Sequence, residues 1–328
     1  MSEDEDEEEW EFPKGVQPKP DAVGFDLDRA LSSVLALRSE VPEDAFSAAS
    51  LGSERAGNGV MIGPDGLVLT IGYLITEATS VWLVSAAGTA TPAHVVGYDQ
   101  VTGFGLVQAL GRLGVPPIEL GSSAGARVGD QVIVASQGGR AHALTAHIVG
   151  KREFAGYWEY LLEEAIFTAP PHPSWGGAAL ISGDGTLCAV GSLLVQEAEG
   201  AGRRQDGNMF VPIDLLPPIL DELMRFGKVD RPPRPWLGLF ATEAEGALVV
   251  AGLASDAPAV RAGVRVGDVV LKVADAPVAD LAAMFRRIWS LGQAGTVIPL
   301  TIFRDGAEFS VTVESADRNA FLKSPGLH

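Results

Sequence analysis

The stretch Gly57-Asn58-Gly59-Val60-Met61-Ile62-Gly63-Pro64-Asp65-Gly66-Leu67-Val68-Leu69-Thr70 holds two short apolar runs separated by Pro-Asp-Gly. Proline presets a turn dihedral, and glycine accepts the positive φ that tight turns use. Apolar runs on either side of such a turn read as a β-hairpin. The same pattern recurs downstream at 81–84, 93–98, 104–107, 131–135, 143–149, 166–169, 178–181, 187–195 and 209–211. So many short strands in succession predict a mainly β chain, built as a barrel pair or a sandwich.

The flanks read differently. Leu27, Ala30, Leu31, Val34 and Leu37 fall at helical spacing, which predicts one amphipathic helix over 26–39 with Asp26 as its cap. Residues 212–226 (PIDLLPPILDELMRF) predict a short helix that closes the β region. Residues 228–235 (KVDRPPRP) are polar and proline-rich and read as a semi-stiff linker. A second compact unit follows, with helices expected at 258–262 and 279–291. Leu281, Met284, Phe285 and Ile288 share one face of the latter. The organisation expected is a tail over 1–23, a helix and linker over 24–50, a β domain over 51–227, the linker 228–235, a second domain over 236–316 and a mobile tail over 317–328.

The chain has 328 residues, a formal net charge of −18 and 47% hydrophobic residues, enough for two cores. Much of the charge is local: the first twelve residues hold eight acidic side chains and no basic one. That run reads as a solvated, disordered tail, with a basic partner as the alternative. It repels phosphate, which argues against nucleic acid and anionic membrane surfaces as partners. The single cysteine, Cys188, sits in an apolar run and reads as a buried thiol. No signal peptide and no membrane span are read from the sequence, so the expected compartment is the cytoplasm. His142 and His147 are expected to face opposite sides of a strand, with no further ligands at metal spacing, so neither a metal nor any other cofactor is expected.

Several segments in order resemble the HtrA/Deg family, a trypsin-like double β-barrel followed by a PDZ domain. They are the hairpin at 57–70, AHVVGYDQVTGFGLVQ at 93–108, SSAGARVGDQVIVASQG at 122–138, NMFVPIDLL at 208–216, RPWLGL at 234–239 and APAVRAGVRVGDVVLKV at 257–273. The resemblance covers roughly 55–315 and implies a serine protease fold, in a family whose members often form trimers.

The resemblance also implies where a catalytic triad would stand. There a serine attacks, a histidine takes its proton and a carboxylate orients the histidine. The family histidine falls on Tyr73, the aspartate on Gly103 and the serine on Trp175, within Pro171-His172-Pro173-Ser174-Trp175-Gly176-Gly177-Ala178-Ala179-Leu180. An oxyanion donor position falls on Pro173, which has no N–H. Ser174 is one position away, and His172 is too close in sequence to pair with it in the usual geometry. The expectation is a non-enzyme, a pseudoprotease that binds peptides. The alternatives are a serine endopeptidase with a rearranged site, or a structural subunit that regulates an active relative.

In the second unit the resemblance implies β-augmentation: a peptide adds as a strand, and its terminal carboxylate sits on successive backbone N–H groups. Trp236, Leu237, Gly238 and Leu239 would form that loop, and Leu281, Met284 and Phe285 the facing wall. The expected partners are peptides or protein C-termini. The plainer reading of the apolar residues is core, and Asp268 is expected to bond turn backbone.

Overall fold

The computed structural model describes residues 10–323 apart from 201, 203 and 245. The acidic run over 1–9 and the last residues of the expected C-terminal tail lie outside the described residues. The chain divides into two compact units, one of residues 10–152 and 165–229, the other of 153–164 and 230–323.

The first unit contains, in order, α1 (Leu27–Ser32), β1 (Val34–Glu40), α2 (Ala48–Leu51), β2 (Glu54–Met61), β3 (Leu67–Ile71), β4 (Ser80–Val84), β5 (Ala90–Tyr98) and β6 (Phe104–Ala109). It continues with β7 (Gln131–Ala135), β8 (Ala143–Gly156), β9 (Tyr160–Ala169), β10 (Ala179–Ile181), β11 (Leu187–Val195), β12 (Gly207–Pro212) and α3 (Pro217–Phe226). The strands form two closed barrels, β1-β2-β3-β6-β5-β4 and β10-β11-β12-β9-β8-β7. Closure removes every strand edge, so backbone donors and acceptors are paired without a capping layer. The first barrel buries Leu35, Leu37, Val60, Leu69, Leu83 and Leu106. The second closes on Val134, Leu144, Ile148, Ile166, Leu180 and Phe210, with Cys188 among them. Burial pushes the Cys188 thiol up to about 11, so the thiolate is scarce at neutral pH.

The helix expected over 26–39 is corrected. Asp26 does cap a helix, accepting from the Arg29 N–H at 3.1 Å, but α1 ends at Ser32. Ser33 turns its hydroxyl back to the Ala30 carbonyl at 2.7 Å, and β1 then pairs with both β2 and β4. Leu35, Leu37 and Ser39 face inward at period two, and two flanking strands satisfy the backbone that a helix would have satisfied internally. β1 is thus a wall of the first barrel, within the segment expected to be helix and linker.

Residues 10–17, expected as disordered tail, pack on the second barrel. The Phe12 N–H donates to the Ala141 carbonyl and the Thr145 N–H to the Val16 carbonyl, both at 2.9 Å. The rings of Trp10 and Phe12 meet that of His172 edge-on. Edge-on aromatic packing and two backbone hydrogen bonds to the barrel outweigh the acidic composition there.

Asp214 explains why the segments at 122–124 and 208–216 belong together. One of its carboxylate oxygens accepts from both the N–H and the hydroxyl of Ser123, the hydroxyl of Ser122 and the N–H of Ala124.

The second unit holds β13 (Leu239–Ala244), β14 (Ala247–Leu253), α4 (Pro258–Arg261), β15 (Val269–Val273), β16 (Ala276–Pro277), α5 (Leu281–Ser290), β17 (Val297–Arg304) and β18 (Ala307–Glu314). Its sheet runs β13-β14-β15-β17-β18, with β16 on β15, so β13 is an edge. Asp280 caps α5 by accepting from the Ala283 N–H at 2.7 Å. Leu281, Met284, Phe285 and Ile288 turn inward onto Leu239, Val250 and Ile302. The expected C-terminal tail is corrected over its first residues: Arg318–Phe321 form a helical turn, and the Phe321 ring packs 4.9 Å from that of Trp236.

Candidate functional site

In the first unit, the residues singled out in sequence come together. Tyr73 lies in a short helical turn directly after β3, and its carbonyl accepts from Arg55 Nη1 at 2.7 Å. Its neighbour Gly72 donates its N–H to the Gly103 carbonyl at 2.7 Å, which sets Gly103 beside the turn. The Tyr73 hydroxyl donates to the Ser192 carbonyl at 2.9 Å and lies against the 171–178 loop, 2.8 Å from where a Gly176 Cβ would stand. Burial pushes the Tyr73 phenol up, and the nearby Trp175 side chain only partly opposes it. The group remains a phenol at neutral pH and is a poor base there. Gly103 takes φ +85°, a backbone suited to glycine. Pro173 is exposed at the outer rim of the loop.

The loop 171–178 is held by a residue that sequence reading passed over. Asn58 is buried in β2. Its amide Nδ2 donates to the Ser174 carbonyl at 3.1 Å, the Ser174 hydroxyl at 3.0 Å and the Gly176 carbonyl at 3.1 Å. Its Oδ1 accepts from the Gln137 N–H at 3.0 Å, and its own N–H donates to the Gly176 carbonyl at 2.7 Å. A buried amide with both ends satisfied fixes one loop conformation. The signal was a polar residue set between two glycines, directly before the apolar run over 60–62.

His172 is also buried. Its Nε2 is 3.0 Å from the His142 carbonyl, and its Nδ1 accepts the Ser174 N–H at 3.0 Å. An Nδ1 that accepts is unprotonated, so the ring is neutral with its proton on Nε2. Both ring nitrogens are engaged by backbone, and neither is placed to take a proton from the Ser174 hydroxyl. Desolvation lowers the His172 pKa to about 4, although the bond to His142 raises it. The folded value therefore lies below the ordinary value near 6.5. Stability from the neutral ring is complete above about pH 6.5 and is lost as pH falls through about 4. Urea unfolding of the wild-type chain should show a loss of about 3 kcal/mol over that window from this group. His172→Gln should show a shallower acid dependence; equal slopes in the two proteins would refute the assignment.

Two families match the chain: the trypsin-like peptidase domain over residues 57–190 and the PDZ domain over 235–314. The chain is HtrA-like. The "Probable periplasmic serine endoprotease DegP-like" of Pseudomonas putida is 25% identical over 278 residues, covering 80% of this chain and 56% of its own length. "Serine protease PepD" of Mycobacterium tuberculosis is 30% identical over 299 residues, covering 84% of this chain and 63% of its own. The chain thus spans little more than half the length of these relatives. The solved structure "HtrA-type protease AlgW with decapeptide" overlays with a TM-score of 0.52 at 21% identity, over 92% of this chain and 98% of that one.

Two expectations are corrected by this kinship. The reading of the HtrA-like chain as a non-enzyme is overturned, because its relatives are named serine proteases and endoproteases, which points to an enzyme. The cytoplasmic expectation falls as well, because the Pseudomonas relative is named periplasmic. Among the described residues no helix is long and apolar enough to cross a membrane.

In the second unit, Leu237, Leu239, Leu281, Met284 and Phe285 all belong to one core. Trp236 is buried beside them, closed by a bridge to Ala316. The plainer reading of these side chains is the one the structure shows. What the loop offers is backbone. Gly238 at φ +69° turns successive N–H groups to one side. All of them bond a single carboxylate, that of Glu159: Gly238 donates to Oε1 at 2.8 Å, Leu237 at 3.1 Å and Leu239 at 3.3 Å. Asp268 accepts from the Arg265 N–H at 2.8 Å, the turn role expected of it, and also pairs with Arg304.

Proposed function

We propose that this HtrA-like chain captures extended peptides or protein C-termini in the groove between β13 and α5, and that it does so in the periplasm or cell envelope. The observation that supports this best is the convergence of the Leu237, Gly238 and Leu239 N–H groups on one carboxylate. A peptide's terminal carboxylate makes the same demand of a backbone nest. β13 supports the reading because it is the edge strand of its sheet. The HtrA-type neighbour solved with a decapeptide is consistent with it.

In the first unit we propose that Tyr73, Gly103 and Trp175 stand where the family's base, orienting carboxylate and nucleophile stand, and that Pro173 stands at an oxyanion donor position. The Tyr73 hydroxyl supports this, since it lies 2.8 Å from where a Cβ of Gly176, the neighbour of Trp175, would stand. Ser174 is the hydroxyl in the loop, held by Asn58.

The test is a set of C-terminal decapeptides with apolar last residues, each prepared as free acid and as amide and titrated into the full chain. Amide resonances of Leu237–Leu239 should shift with the free acids, and amidation should weaken binding about tenfold or more, because charge-assisted bonds are lost. Equal binding of acid and amide forms would sink the proposal.

A further inference from the structure

The carboxylate nest is already filled by the chain itself. The second unit includes residues 153–164, the tip of the β8–β9 hairpin, although this segment lies far from 230–323 in sequence. Its turn places Glu159 at φ +62°, in the left-handed region. A non-glycine residue held there in a functional loop is overdetermined by its surroundings. Here the surroundings are the Leu237, Gly238 and Leu239 N–H groups and the positive charge of Arg318.

The rest of the tip touches both walls of the groove. On the β13 side, Tyr157 meets Phe240 edge-on with ring centroids 6.0 Å apart. On the α5 side, Arg286 pairs with Glu153, and with Glu163 at 2.6 Å. Ala155 packs against the core that α5 covers. Trp158 stacks on Tyr160 at 5.6 Å, which stiffens the turn.

We infer that the 153–164 hairpin is a built-in ligand of the peptide groove: Glu159 holds the nest of Leu237, Gly238 and Leu239, and a peptide with a free terminal carboxylate enters by displacing it. This rests on the peptide-binding reading above. The hold is exchangeable. Desolvation pushes the Glu159 carboxyl up to about 7, against the N–H bonds and Arg318 that pull it down. The buried carboxyl therefore sits near its midpoint at neutral pH and gives up part of its charge-assisted bonding. A ligand for a groove that is open only part of the time binds more weakly by that fraction.

The experiment uses the full chain, wild type, Glu159→Ala and Glu159→Gln. It measures a fluorescein-labelled decapeptide with a free C-terminal apolar residue, and its amidated twin, by fluorescence anisotropy. Glu159→Ala should bind the free acid at least tenfold more tightly than wild type, with Glu159→Gln between them. Amide exchange without peptide gives an independent readout: protection of Leu237–Leu239 should fall at least tenfold in Glu159→Ala. Glu159→Gln, which keeps the side-chain length, gives the same comparison if the alanine variant does not fold. Equal, carboxylate-dependent affinities in all three proteins, with unchanged exchange, would overturn the built-in ligand and leave peptide binding standing. Loss of protection without peptide binding in any variant would overturn the peptide-binding reading, and with it the displacement.

Discussion

Gly177→Ala is expected to destabilise the first unit by about 3 kcal/mol or more, the sum of a backbone and a packing penalty. Gly177 adopts φ +75°, where a Cβ costs about 1 kcal/mol before any contact is counted. That Cβ would also land on the Asn58 carbonyl oxygen and within 2.9 Å of Thr70 Oγ1. Neither can retreat easily, since the Thr70 hydroxyl donates to that same carbonyl at 2.7 Å. The Gly177 N–H is meanwhile tied to the Gly191 carbonyl at 2.9 Å. The clash is therefore with the Asn58 main chain and with the Thr70 hydroxyl bonded to it. Gly176→Ala is the control. Its added Cβ would meet the Tyr73 hydroxyl at 2.8 Å, the far end of a side chain, and its cost should be about 1 kcal/mol. Urea unfolding of the two variants decides the matter; a cost for Gly177→Ala no larger than for Gly176→Ala would refute the account.

Asp268→Ala is expected to cost about 3 kcal/mol, since it removes charge-assisted bonds to Arg304 and to the Arg265 N–H. The carboxylate is 1% exposed, and its two oxygens accept from Arg304 at 2.6 and 2.7 Å. It also accepts the Arg265 N–H at 2.8 Å, closing the turn into β15. Arg304→Ala should destabilise as well, because it leaves the buried Asp268 carboxylate with its turn bond but without its counter-charge. The Arg304 bond holds the Asp268 pKa below the usual carboxylate range. Its contribution is therefore present above about pH 4, the ordinary value, and is lost as pH falls below that. Amide exchange in β15 and β17 of the full chain, with and without the substitution, measures the loss. Unchanged protection at neutral pH would show that the pair carries little.

The features legible in the sequence are those set by a few neighbouring residues. Pro64-Asp65-Gly66 makes a turn because its dihedrals are local. Asp26 and Asp280 cap helices because a cap reaches only three residues ahead. The order of longer segments resembling the HtrA/Deg family implied the double barrel and the PDZ domain, and the same resemblance implied that Tyr73, Gly103 and Trp175 form one group.

The tertiary structure decided whatever depended on a partner far along the chain. Val34–Glu40 carries both a helical and an alternating pattern, and the pairing with β2 and β4 selects the strand. Asn58 acquires its role from a loop 116 residues away, and Glu159 from N–H groups 78 to 80 residues away. Periodicity carries no information about such closures, since loop-closure entropy is repaid only when both ends of the contact are already built. The hairpin Gly57–Thr70 thus belongs to the sequence, while the staple that its Asn58 drives into the 171–178 loop belongs to the fold.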